Sequence, residues 1–161
     1  MEQDQLSERF HAAFAKMKEE LQFNASFEEL DDVFFLEDYI LQCRYVSKSI
    51  SRMVCARIRD TFSSWINYLH SLLLPNPSSM INHAEHQLFN DADRQKITET
   101  LHHYLALTSK NALIGLNKDK AAEAAYIDNA VKVWKDNLSF LINISEKVNN
   151  HWKKAPIHPK Q

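Results

Sequence analysis

An all-α, antiparallel helical bundle with one long or kinked helix is the fold that three features of this chain predict. The first is sparse punctuation. Its 161 residues include one glycine and four prolines, whereas hairpins, bulges and phosphate-cradling loops depend on glycine for backbone conformations other residues resist. The second is apolar residues recurring every three or four positions, which places them on one helical face. The third is composition: 45% hydrophobic and 25% charged residues supply a core at this length and leave disorder unfavourable.

The helices follow in order. Leu6, Phe10, Ala13, Phe14, Met17 and Leu21 form one face of a first helix over about Gln5 to Gln22. Asn24 or Ser26 then caps the next, with Glu28 and Glu29 favourable in its first turn. Phe27 to Leu74 contains neither glycine nor proline. One continuous helix over that span would be about 70 Å long, several times the usual length, so it is either long or kinked. The hydroxyls of Ser47, Ser49 and Ser51, which compete for backbone hydrogen bonds, mark the expected kink. Pro75-Asn76-Pro77-Ser78-Ser79 ends the element, and Ser78 or Ser79 caps a short helix to Phe89.

Asn90 to Asp93 reads as another cap, opening a helix over about Ala92 to Leu116 with Ile97, Leu101, Tyr104, Leu105, Thr108 and Ala112 facing inward. After a turn at Gly115 to Asp119, a last helix over about Lys120 to Lys153 carries a sustained heptad seam: Ile127, Val131, Trp134, Leu138, Leu141, Ser145, Val148 and Trp152. Ala130, Val133, Phe140 and Ile144 add a second apolar side, which makes this helix central. Residues 1–155 are expected to form one domain, followed by a short polar tail over 156–161.

Several functional classes lose ground on composition. The net charge of −2 provides no overall attraction for polyanions, so nucleic acid is a disfavoured partner. No segment reads as a signal peptide or a membrane span, and the chain is expected to be cytoplasmic and without a membrane partner. Cys43 and Cys55 are expected to be free thiols. Neither a serine elbow nor a cysteine beside a plausible histidine gives a nucleophile, so no catalytic residue and no cofactor is assigned.

The long segment carries the candidate sites. In heptad register its seam is apolar at both ends and polar in the middle, where Glu37, Arg44 and Lys48 fall. Lining a bundle interior, these three would bind an anionic or polar ligand. If the seam instead rotates outward, Arg44 and Lys48 lie in water. Charge is also segregated. Glu28 to Asp38 holds six acids and no base, and Arg44 to Arg59 five bases and no acid. An antiparallel partner would set Asp31, Asp32 and Asp38 against Arg52, Arg57 and Arg59, as in a twofold dimer, unless other helices of the same chain neutralise each half.

Histidine pairs give a weaker signal. Glu8 with His11 and Glu99 with His102 have the Glu-x-x-His spacing of di-iron carboxylate bundles, and His83 and His86 share a face. The glutamates point away from the apolar stripes of their helices, so no metal site is assigned. The sequence therefore predicts a non-enzymatic helical interaction module, a homo-oligomer or the companion of a protein partner. A ligand-binding or metal-dependent hydrolytic bundle with a polar interior pocket is the alternative.

Overall fold

The computed structural model describes residues 2–154, leaving the expected 156–161 tail outside the described residues. Seven helices and no strand occur among the described residues. Helix α1 (Glu2–Leu21) buries Phe10, Phe14 and Met17, the stripe its spacing marks. Ser26 caps α2 (Phe27–Phe34) through a reciprocal box: its hydroxyl accepts from the Glu29 N–H while the Glu29 carboxylate accepts from the Ser26 N–H.

Residues 27–74 are broken twice, and one break was not expected. At Phe35 the backbone turns left-handed (φ 52°), ending α2 and starting α3 (Leu36–Cys43). In a straight helix residues 34 and 36 would point about 200° apart. The break lets Phe34 and Leu36 both be buried. It also exposes backbone groups, which long-range partners satisfy: the Asp31 carboxylate accepts from the Glu37 N–H at 2.8 Å, and Arg57 Nε donates to the Phe34 carbonyl. The second break begins at Arg44, also left-handed (φ 60°), and runs to Ser49. It contains Ser47 and Ser49 of the expected serine kink, while Ser51 is buried inside α4 (Ile50–Leu73).

Leu74 follows α4 and the Pro75-Asn76-Pro77 run leads into α5 (Met80–His86), capped by Ser79. This short helix closes the end of α4. Asn82 Nδ2 donates to the Ser71 carbonyl at 2.8 Å and His86 Nδ1 to that of Leu72 at 2.6 Å, which supplies donors to carbonyls left open by the helix end. Helix α6 (Asp91–Asn117) opens on a capping box between Asn90 and Asp93, and α7 (Lys120–Lys154) on the Asp119 carboxylate accepting from the Ala122 N–H.

The longest three helices form the frame. Phe62 meets both Tyr104 (4.7 Å between ring centroids) and Trp134 (6.2 Å). Towards the start of α4, Arg52 reaches Asn111 on α6 and Glu123 on α7. Hence α6 runs antiparallel to α4, and α7 parallel to it. Thr100–Asn137 and Asp93–Lys147 contacts fix α6 and α7 as antiparallel neighbours. On the other side, α1 lies antiparallel to α3, with a second aromatic cluster of Phe10, Phe14, Phe23 and Phe27.

The buried face of α6 differs from the expected one. Ile97, Leu101 and Tyr104 are buried, but Leu105 is 44% exposed and Ala112 is exposed, while Leu107, Asn111 and Ile114 turn inward. Thr100 and Asn111 are buried with them because Asn137 and the Cys55 carbonyl provide hydrogen-bond partners.

Candidate docking groove and buried polar centre

Helix α2 reaches α7 at the Glu29–Lys135 ion pair (2.6 Å) and then turns away at Phe35. One and two turns beyond Trp134, apolar surface of α7 emerges: the seam residue Leu138 is 38% exposed and Ile142, beside the seam, 50%. These residues, Trp65 and Trp134 line an open groove of about 350 Å³, floored by Leu141 and edged by Glu146. The indoles meet edge-on at 6.2 Å, and Trp65 also packs on Tyr68. Large aromatic and aliphatic surfaces without a covering helix favour burial by another molecule.

The residues singled out by charge are dispersed. Glu37 does not face the bundle interior. Its side chain is 29% exposed in the first turn of α3, with Oε2 2.9 Å from His11 Nε2. Arg44 is exposed at the end of α3, in a cavity of about 510 Å³ between α1 and α3 that it shares with Arg9. Lys48 is exposed on the connector. The two backbone breaks rotate this polar stretch outward, so the three do not line a common interior pocket.

Of the interface candidates, Asp31 and Arg57 are engaged at the Phe35 break, with the Arg57 guanidinium also over the Tyr39 ring. Arg59 pairs with its neighbour Asp60 at 2.7 Å. Asp32 and Asp38 are exposed without a polar partner among the described residues.

Arg52 belongs to a polar centre that the sequence reading missed. Glu123, 1% exposed, lies 3.7 Å from Arg52 Nη1 and 3.3 Å from Lys120 Nζ, and Lys120 also donates to Ser51 Oγ at 3.0 Å. Arg52 Nη2 reaches the Asn111 carbonyl at 3.4 Å, and Gly115 leaves it room, since a Cβ there would stand 2.8 Å from Nη2. Arg52 Nη1, Asn111 Oδ1 and the buried Tyr126 hydroxyl have no hydrogen-bond partner among the described residues. A signal for Glu123 was available: it lies four residues, about one turn, before Ile127 and next to Ala124, the position the α7 seam reaches when extended backwards.

Cys55 lies beside this centre, and burial pushes its thiol up to about 12, overriding the lowering effect of Arg52. A buried neutral thiol is a poor nucleophile. Both cysteines are free. Among the described residues no three His, Cys, Asp or Glu side chains form a group able to hold a metal. His83 contacts Gln87, and Glu85 accepts from Trp152 Nε1 at 3.0 Å.

No described helix is long and apolar enough to cross a membrane. Comparison with family models, curated proteins and solved structures found no match.

Proposed function

We propose that this chain is a non-enzymatic, cytoplasmic helical interaction module that self-associates, burying the Trp65–Trp134 groove against a second copy. The open groove with half-exposed Leu138 and Ile142 carries the reading. Charge argues for a second copy as the occupant. Glu28, Asp32 and Asp38 on α2 and α3, and Arg44 and Lys48 on the connector, are exposed without side-chain polar partners among the described residues. A twofold arrangement sets each set against its opposite, which fixes orientation more than it adds affinity.

Light scattering on a sizing column tests the reading. The expected result is a mass twice 18.8 kDa for the parent chain, reduced to the monomer mass by Ile142→Glu. Reversal of Asp32 and Asp38 to lysine should weaken association. A monomeric parent at about 100 μM, well above the dissociation constant of a specific dimer, would overturn the proposal. So would a dimer indifferent to both sets of substitutions.

A further inference from the structure

On the opposite side of α7 from the tryptophan groove, a second cavity of about 480 Å³ runs between α6 and α7. Lys96, His103 and Lys110 line its α6 wall at intervals of seven residues. That interval repeats one helical face every 10.5 Å or so. Lys132 projects from α7 opposite them. Its ammonium is 2.7 Å from Asp136, the lone carboxylate of the cavity.

Lys96 and Lys110 are exposed and have no carboxylate partner among the described residues. With the imidazole neutral, three ammonium groups against one carboxylate leave the cavity at +2, on a chain whose net charge is −2. Leu107 and Val133 supply an apolar wall, which strengthens the field between the cations.

We propose that this cavity is a binding site for a small polyanion carrying two or more phosphate groups, bridged between Lys110 of α6 and Lys132 of α7, while Lys96, about 21 Å along α6 from Lys110, adds positive field at the far end of the cavity. Its volume falls in the range of small-molecule sites. No phenylalanine, tyrosine or tryptophan lines it, so it lacks the stacking surfaces on which single-stranded nucleic acid is usually held. An incoming polyphosphate competes with Asp136 for Lys132 and meets Lys110 unopposed.

Calorimetric titration of the full chain with inorganic tripolyphosphate, at about 50 mM and then about 150 mM salt, reads the site directly. Saturable binding with one site per chain is expected, weaker at the higher salt. Lys110→Gln and Lys132→Gln should each lower affinity about tenfold or more, the effect of one lost charge-assisted hydrogen bond. Lys110→Arg should retain most of the affinity, and Lys153→Gln, on the exposed end of α7, all of it. Because these lysines are exposed, thermal melts should show all four variants folded. The Ile142→Glu variant should bind like the parent, so failure of self-association leaves this result intact. Absence of saturable binding would overturn the proposal, as would equal affinity in the Lys110→Gln and Lys132→Gln variants. Tighter binding of a single-stranded RNA oligonucleotide in the same cavity would assign it to nucleic acid instead.

Discussion

Replacing Arg52 with methionine keeps most of the side chain's length and removes one of the two cations facing Glu123. Breaking a buried ion pair costs about 3–5 kcal/mol when one charge is left without compensation. Three features of this pair reduce that figure. Lys120 remains 3.3 Å from the carboxylate, the Arg52 side chain is 32% exposed, and its 3.7 Å approach is within ion-pair range but too long for a hydrogen bond. Glu123 itself, at 1% exposure, has little access to water. The expected loss is about 1.5–3 kcal/mol, which for a chain of this size lowers the melting temperature by about 4–10 °C. Urea titration followed by circular dichroism measures it. Adding Glu123→Met to Arg52→Met removes the stranded carboxylate, so the double variant should be at least as stable as Arg52→Met alone. An Arg52→Met variant within about 0.5 kcal/mol of the parent, or a double variant less stable than the single, would refute this account of the polar centre.

Two further perturbations probe other parts of the fold. The Asp128 carboxylate accepts from the backbone N–H groups of Asn24 and Ala25, each at 2.9 Å, and from Asn24 Nδ2. Asp128→Ala leaves the buried Ala25 N–H unsatisfied and should cost about 1–2 kcal/mol in a urea titration, with Asp128→Asn costing less. At high pH, burial of Cys55, Tyr104 and Tyr126 raises all three groups above their ordinary values, Cys55 from 9.0 to about 12. The folded state therefore holds protons that the unfolded chain has released. Their contribution to stability is intact below pH 9 and is lost progressively as pH rises towards 12. Alkaline titration followed by tyrosine absorbance should show unfolding and ionisation together, and at pH 8 a thiol reagent should label half-buried Cys43 well before Cys55. Rapid labelling of both cysteines, or ionisation of all five tyrosines without loss of helix, would contradict the burial.

The helices themselves were legible because their determinants are local. Ser26 with Glu29 and Asn90 with Asp93 are separated by three residues, within reach of a capping box, and both form one. The two ends of the long segment's seam are buried, Leu30 and Phe34 before the breaks and Cys55, Ile58, Phe62, Leu69 and Leu72 after them, whereas Glu37, Leu41, Arg44 and Lys48 between them are not. Heptad counting recovered α2 and α4, where the period holds, and lost the register in α3, which the Phe35 break turns so that Leu36 and Ile40 are buried in place of Glu37, Leu41 and Arg44. The Phe35 break had no such local sign. Phenylalanine is a poor residue for a left-handed turn, and the compensation comes from burying Leu36 and from the Arg57 guanidinium, 23 residues away. Tertiary contacts overruled backbone preference there.

The same separation of local from distant information explains how the charged residues were read. Counting acids and bases identified two blocks of opposite sign, but a block's role depends on which members its own chain neutralises. Asp31 and Arg57 stabilise a backbone break. Arg52 pairs with Glu123, a residue 71 positions later on another helix. With Glu29, Glu37 and Arg59 also paired, to Lys135, His11 and Asp60, the exposed remainder is Glu28, Asp32, Asp38, Arg44 and Lys48. Exposure of the α7 seam depends likewise on the Phe35 turn. Because that turn leads α2 away just past the Glu29–Lys135 pair, the next two turns of α7 have no helix above them. One left-handed residue thus both completes the core, by burying Phe34 and Leu36 together, and leaves open the apolar surface on which the proposed self-association depends.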